Sequence, residues 1–394
     1  MKKPGENREF RKLPTAAARR QAVEKLTRAG LANIGAFTLS ESAAATRNCE
    51  NMIGAVQIPI GIAGPLPVVG AGGQITRYYL PLATTEGALV ASVNRGCKAI
   101  SVSGGAVAAA YRAGVSRGPV FRTEGLEANN RLFDYVDSHL EHFRKITLST
   151  SGHLTLRDLD TKSTGRYRFV RFMFDSRDAM GMNMATIATD LIVRDIEAAT
   201  GARCLSLSGN FCTDKKPAWQ NFLNNRGYKV WAESLLNPDA LRILRTTPEG
   251  IFETWLSKCM VGSAMAGSMG FNAQFANVLA ALFLSTGQDL AHIAECAVGM
   301  TTMEVSGENL YVSVYLPDLM VGTVGGGTGL ATQQEALSIL GLVGGRDGEN
   351  GLKLAEVMGA AVLAGEISLL ASLSEGSLAR AHQTLARGGK QIRQ

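Results

Sequence analysis

Apolar positions recur at helical spacing from Thr15 to Ala29, and Gly30 closes that run. With the charged residues around it, this predicts a small helical N-terminal domain over residues 1–53. From 54 to 83 the pattern changes to Gly, Pro and β-branched residues. The run Ile58-Pro-Ile-Gly-Ile-Ala-Gly-Pro-Leu-Pro67 excludes helix and leaves short strands and turns. A long helix is predicted from Thr84 or Thr85 as N-cap to about Gly104. Residues 118–208 then read as a short strand (119–122), an amphipathic helix (124–143), two strands (146–156 and 166–175), a second helix (178–200) closed by Gly201, and a last strand (202–207). That order is β-α-β-β-α-β, the ferredoxin-like split unit. From about 218 onward helical segments alternate with glycine clusters, the densest at Gly322–Gly329. The predicted fold class is α+β. A large mixed α/β domain spans 54–117 and 218–394, a ferredoxin-like domain is inserted at 118–205, and 206–217 is the loop that joins them.

Composition narrows this picture. The chain has 394 residues, 46% hydrophobic and 19% charged, which suits a globular protein with a large core and not a disordered one. A net charge of +6 favours an anionic small molecule, because no basic tract with interleaved aromatics marks a nucleic-acid site. The six cysteines are scattered without Cys-x-x-Cys spacing, so neither a metal site nor a disulfide framework is expected. The first residues have no apolar signal core, and the longest apolar run, Phe275 to Leu284, falls short of the ~20 residues of a membrane span. A soluble, cytoplasmic protein without membrane or nucleic-acid partners is the expectation.

The run Ser208-Gly-Asn-Phe-Cys-Thr-Asp-Lys-Lys-Pro217 carries the strongest chemical signal. Two adjacent lysines beside Asp214 suit an anion, or an oxyanion formed during a reaction; a solvated basic turn is the plainer alternative. Glu86 in Thr84-Thr-Glu-Gly87 is placed in a first helical turn, as a dipole partner or a general acid. Ser92 and Arg95 share a helix face, and with Asn94 and Lys98 they offer a site for a phosphate- or carboxylate-bearing ligand. Asp178-Ala-Met-Gly-Met-Asn183 opens a helix where an anion can sit. Gly287-Gln-Asp289 ends another. The glycine loop around Val324, Gly325, Gly326 and Gly327 can offer backbone amides to phosphates, although neither a Rossmann fingerprint nor a Walker sequence is present.

Taken in order, these motifs resemble those of the 3-hydroxy-3-methylglutaryl-coenzyme A (HMG-CoA) reductase family in its class I form. Glu50-Asn-Met-Ile-Gly, Ser92-Val-Asn-Arg-Gly-Cys97, Arg117-Gly-Pro and Val261-Gly-Ser-Ala-Met-Ala-Gly267 add to the match, which covers the chain from about Glu50 onward. The resemblance implies that 118–205 binds NADPH and the large domain binds CoA. It implies reductive deacylation of HMG-CoA to mevalonate and CoA with two NADPH, through a mevaldehyde-level intermediate. Lys215 matches the catalytic lysine, Glu86 the proton donor, Asp289 the aspartate coupled to both, and His382 the histidine that protonates the departing thiolate. Arg117, Ser208, Asp214, Lys216, Lys258 and Asn277 match the hydroxymethylglutaryl pocket; Ser92, Asn94, Arg95 and Lys98 match CoA contacts. Asp178, Met182, Asn183, Val324–Gly327 and Arg387 match the nicotinamide site, with no metal. The family also implies a non-proline cis peptide at Cys212–Thr213, and a homodimer or dimer of dimers with the active site at the subunit interface.

Some positions depart from the family pattern. Ala386-Arg387-Gly388 stands where class I members usually carry Asn-Arg-Ser, so the regulatory serine is missing. The arginine near the cofactor's ribose phosphate falls roughly at His142, which leaves NADH possible beside NADPH. The membrane-anchor region of animal relatives is not seen. Two other readings stand beside the reductase: the same fold running oxidatively with NAD, and a CoA-thioester binding protein without redox activity.

Overall fold

The computed structural model describes residues 10–70 and 73–376. Ten strands form one mixed sheet: β1 (Ile60–Val69), β2 (Ile75–Ala83), β3 (Ala106–Arg117), β4 (Val120–Arg122), β5 (Thr155–Thr164), β6 (Tyr167–Asp175), β7 (Arg203–Ser206), β8 (Arg226–Leu236), β9 (Met300–Ser306) and β10 (Asn309–Leu319). The order is β7-β4-β6-β3-β8-β10-β9, with β5 beside β6, and β1 beside β2 and β3. Every pairing is antiparallel except β1 with β3.

β3 links two regions. Its residues 107–114 pair with β8, and Val115, Ser116 and Arg117 pair with β6. The strands β4 to β7 run in the spatial order β7-β4-β6-β5, the order of a split β-α-β-β-α-β unit. The single helix predicted over 124–143 is two helices, Leu126–Ser138 and Leu140–Thr150, broken at His139, whose Nδ1 sits 2.8 Å from the Tyr135 carbonyl. The second helix runs through residues expected to begin a strand, and that strand starts at Thr155 instead. Thr147 Oγ1 donates to the Phe143 carbonyl at 2.9 Å, and both residues are buried, so the helix face fixes this segment despite its β-branched residues. Phe143 meets Phe172 edge-on with centroids 6.0 Å apart.

The large region has its core on the Glu349–Ser374 helix, which packs against the Leu89–Val102 helix and against β3 and β8. This helix is long and apolar enough to cross a membrane by length and composition, but 78% of its apolar window is buried, as in the core of a folded domain. It is therefore longer and more central than the Phe275–Thr286 helix that the apolar run singles out. At the crossing with Leu89–Val102 a Cβ on Gly96 would lie 1.9 Å from the Ala364 carbonyl oxygen, so only glycine permits the approach. β8, β9 and β10 lie where the sequence reading had only helices and glycine clusters. β8 alternates strictly, with Arg226, Tyr228, Val230, Ala232, Ser234 and Leu236 all buried.

Other boundaries also shift. The first helix is Ala16–Thr27, capped by Thr15, and it ends on Arg28 in the left-handed region, before Gly30. Residues 54–83 hold two long paired strands instead of short ones. The helix expected from Thr84 starts at Leu89, because the Glu86 amide bonds Thr84 Oγ1 in a turn and Ala88 has φ 73°. Glu86 is thus in a turn before the helix, not in its first turn.

Candidate active site

Several segments line a cleft of about 960 Å³: residues 176–184, the Gly287–Asp289 turn, the glycine-rich stretch from Gly322 to Thr328, Arg117 at the end of β3, and Asp214 with Lys215. Glycines bring these backbones together. A Cβ on Gly322 would lie 2.5 Å from the Met180 nitrogen, and one on Gly287 would lie 2.4 Å from the Gly327 oxygen. Gln288 fixes the same contact, since its side-chain amide donates to the Gly322 carbonyl and accepts from the Gly322 amide, each at 2.9 Å.

The helix along this cleft begins at Met182, not at Asp178. Gly181 precedes it with φ 90°, and among the described residues no side chain caps it, so the Met182–Met184 amides have no capping partner there. The Asp178 carboxylate is turned elsewhere: it accepts the backbone amides of Arg346 (2.7 Å), Gly348 (2.6 Å) and Gly351 (2.9 Å). It holds the start of the Glu349–Ser374 helix against the cleft wall. Met182 is buried, and its sulfur accepts from Arg226 Nη2 at 3.1 Å; Asn183 is exposed.

Lys215 stands on a tightly folded loop. Asn210, Thr213 and Lys215 have φ of 63°, 59° and 58°, a conformation that costs about 1 kcal/mol or more for each non-glycine residue. The Lys216 amide bonds the Thr213 carbonyl, and the Thr213 hydroxyl bonds Asn221 Oδ1. The Lys215 amide donates to Glu295 Oε1 at 3.0 Å. The Cys212–Thr213 peptide is not cis; among the described residues the only cis bond is Gly64–Pro65. The loop reaches its shape through left-handed residues instead.

The Lys215 ammonium lies 2.7 Å from Asp289 Oδ2. Below it runs a buried polar network absent from the sequence reading. Arg226 is fully buried and donates to Glu295 Oε2 (2.5 Å), Asp214 Oδ1 (3.0 Å) and Ser116 Oγ (2.9 Å). His292 bonds Glu295 Oε1 through Nδ1, and its Nε2 lies 3.7 Å from Asp289 Oδ2. Asn221 Nδ2 bonds Asp318 Oδ2. Asp214 also pairs with Arg117 at 3.5 Å, and Arg117 bonds Thr186 Oγ1. Donor atoms of Asp214, His292 and Glu295 lie within 4.8 Å of one another, as a metal would need, but the Arg226 guanidinium already bonds both carboxylates.

Charge states follow from these contacts. Burial works to raise the Asp289 carboxyl, but the Lys215 hydrogen bond, the Ala291 amide and the neighbouring cations hold it below the usual carboxylate range. Glu295 is likewise held low against burial, by His292 and Arg226. Asp318 goes the other way: full burial and then the Glu295 charge push it well above.

The sequence profile of the hydroxymethylglutaryl-coenzyme A reductase family matches residues 15–387. The chain is 47% identical over 384 residues to a 3-hydroxy-3-methylglutaryl-coenzyme A reductase of Aeropyrum pernix, covering 96% of this chain and 90% of that one. The chain belongs to the hydroxymethylglutaryl-coenzyme A reductase family. It also matches the reductase of Methanothermobacter thermautotrophicus, at 45% identity over 94% of this chain and 93% of that one. A class II reductase from Streptococcus pneumoniae, solved with NADPH, shares the fold at TM-score 0.68 and 19% identity, over 90% of this chain and 92% of that one. With the family go the reductase activity and its place in the mevalonate pathway.

For a reductase of this family the structure gathers Arg117, Asp178, Met182, Asn183, Asp214, Lys215, Asp289 and Val324–Gly327 on one cleft. Glu86 and Asn277 form a second pair, with Asn277 Nδ2 3.3 Å from Glu86 Oε1, outside the cleft lining. Lys216 and Ser208 are exposed on the same loop: Lys216 Nζ bonds the Asp214 carbonyl at 3.2 Å, and Ser208 Oγ lies 3.7 Å from Cys212 Sγ. Lys258 is exposed on the π-helical turn Leu256–Gly262. Of the residues matched to CoA contacts, only Lys98 is exposed without a partner among the described residues. Ser92 and Arg95 bond Ser368, and Asn94 Oδ1 holds the Gly64 amide. His142 does not line the cleft; it pairs with Asp195 at 2.9 Å, while His153, Arg177 and Asp347 do line it. His382 and Arg387 lie outside the described residues. Arg226, His292, Glu295 and Asp318 escaped the sequence reading because they lie outside the quoted motifs and meet only in the fold. Burial, which marks them, is not visible in single positions.

Proposed function

We propose that the chain is a class I enzyme that converts HMG-CoA to mevalonate and CoA with two NADPH. The observation that carries this reading is the Lys215–Asp289 pair, an ammonium held by a carboxylate on the cleft that also bears the glycine loop and an uncapped helix start. The class I assignment rests on the Asp178-Ala-Met-Gly-Met-Asn183 and Asp214-Lys-Lys-Pro217 motifs. The uncapped Met182–Met184 amides and the Gly325–Gly327 backbone suit the phosphates of a dinucleotide, and Asn183 its polar rim. Bound there, the dihydronicotinamide supplies hydride.

Lys215 donates to the carbonyl oxygen of the thioester, and later of the aldehyde, and stabilises the charge that develops on it. Asp289 keeps the ammonium charged and aimed. Glu86, bonded by Asn277, supplies the proton of the second reduction, and His382 protonates the departing thiolate. Arg117, Ser208, Asp214, Lys216 and Lys258 serve the hydroxymethylglutaryl end, and Lys98 with its helix neighbours the CoA end. Residues 118–205 are taken as the cofactor domain, 54–117 with 218–394 as the substrate domain, and 1–53 as the helical N-terminal domain. A soluble, cytoplasmic homodimer or dimer of dimers completes the reading. The exposed face of β3 and β8, with Val107, Tyr111, Trp231 and Leu235, favours burial against a second copy.

The test is a spectrophotometric assay with HMG-CoA, run in parallel with NADPH and NADH and again in reverse with mevalonate, CoA and NAD. Thioester-dependent loss of NADPH absorbance, two equivalents for each CoA released, is expected. A strong preference for NAD in the reverse direction sinks the reductive reading, and CoA binding without any redox signal sinks both.

A further inference from the structure

His292 has no exposed surface, and both its ring nitrogens face carboxylates. Nδ1 bonds Glu295 Oε1 and lies 3.9 Å from Asp214 Oδ1. Among the described residues Nε2 has no hydrogen-bond partner, and it lies 3.7 Å from Asp289 Oδ2, the oxygen that holds the Lys215 ammonium. An ionised carboxylate only accepts, so a neutral imidazole can satisfy one of these neighbours and must turn a lone pair toward the other. Only the imidazolium turns an N–H toward both.

The charged groups around the ring come from four elements. Asp289 and Glu295 share its own segment, Asp214 and Lys215 stand on the 208–217 loop, Arg226 comes from β8, and Asp318 from β10 lies beside Glu295. Arg226 is already committed to Glu295 and Asp214. Asp289 is left with Lys215 on its solvent side and His292 beneath.

We propose that His292 is a positioning residue for the reaction: as an imidazolium it takes part of the Asp289 charge, so that the Lys215 ammonium is shared less with Asp289 and more with the substrate oxygen. This rests on the reading of Lys215 as the oxyanion partner. Loss of the ring proton leaves Asp289 with Lys215 as its sole cationic partner among the described residues. The ammonium is then drawn to the carboxylate and donates less to the carbonyl as its charge develops. The effect falls on the transition state and not on the hydroxymethylglutaryl or CoA contacts, so it belongs to kcat.

The experiment compares full-length wild type with His292→Gln and Lys215→Ala. Steady-state kinetics are measured from about pH 5.5 to 9, with thermal unfolding of each protein. For His292→Gln we expect kcat lowered about tenfold near neutrality, KM for HMG-CoA within about twofold, and loss of one ionisation from the kcat profile. A kcat within twofold of wild type, or an unchanged profile on a slower enzyme, overturns the proposal. An active Lys215→Ala would instead overturn the reading beneath it, which keeps the two failures apart. If His292→Gln does not fold, nitrogen NMR of histidine-labelled wild type decides, because the chain has five histidines. A buried ring with both nitrogens protonated at neutral pH supports the proposal, and a neutral tautomer overturns it.

Discussion

Lys215 and Asp289 are joined at 2.7 Å, while the backbone of the same lysine is tied to Glu295 at 3.0 Å. One residue is therefore held twice, by side chain toward the cleft and by main chain toward the core. These two contacts restrain the ammonium, although the side chain is 39% exposed at the cleft. On the proposed reading, replacing it removes the donor from both reductions. Lys215→Ala is expected to lower kcat by about two to three orders of magnitude or more on HMG-CoA and on mevaldehyde alike. Near-wild-type turnover on either substrate would remove Lys215 from that step.

Asp178 offers a second test, because sequence and structure give it different work. The resemblance makes it a cofactor residue, yet its carboxylate is filled by three backbone amides at 2.6–2.9 Å. Bonds from amides to a buried charged acceptor contribute about 1.5–3 kcal/mol each at most, and neutralising the acceptor weakens all three. Asp178→Asn is expected to destabilise the protein by about 2 kcal/mol, seen as a lower melting temperature without any ligand. An unchanged melting temperature with a raised KM for NADPH would return Asp178 to direct cofactor contact.

The motifs were legible where chemistry needs short contiguous runs. Ser208–Pro217, Gly287–Asp289 and Gly322–Gly327 each carry their identity within ten residues, and the fold brings them to one cleft. The split unit was also legible as an order of elements, although Thr147 and its neighbours stayed helical through tertiary burial that outweighs β propensity. β8 was readable in principle from its alternation. Its buried set, however, is half polar or small (Arg226, Ala232, Ser234), so no hydrophobic stripe announced it. The network of Arg226, His292, Glu295 and Asp318 draws on β8, the 290–296 turn and β10, and only the three-dimensional pairing makes those residues a group.

The same network sets a dependence on pH. The Asp318 carboxyl is pushed well above its ordinary value by burial and by the Glu295 charge, so the folded protein keeps a proton that the unfolded chain releases above about pH 4. In the window between those two values the wild type loses stability as pH rises. Asp289 runs oppositely, since its lowered value adds stability above the unfolded pKa that is lost as pH falls. Asn at position 318 cannot ionise and keeps a donor toward Glu295. The melting temperature of Asp318→Asn relative to wild type should therefore grow with pH from about 4 to 8. A difference that is constant with pH would show that Asp318 is ionised in the folded protein.

Gly322 decides how closely the glycine loop approaches the helix start. A methyl group there would lie 2.5 Å from the Met180 nitrogen and 2.8 Å from the Asp178 carbonyl oxygen, both main-chain atoms that cannot swing aside. The Thr323 amide bonds that same Asp178 carbonyl, and Gln288 bonds both polar groups of Gly322. Gly322→Ala must push the loop outward and break some of these bonds, at a cost of about 1–3 kcal/mol. Because the displaced loop lines the same cleft as Met182–Met184, which the proposed reading gives to the cofactor, the loss should appear mainly in the cofactor. KM for NADPH should rise about tenfold, while KM for HMG-CoA stays within about twofold. Equal rises in both constants would mean that the loop shapes the whole cleft and not the cofactor side alone.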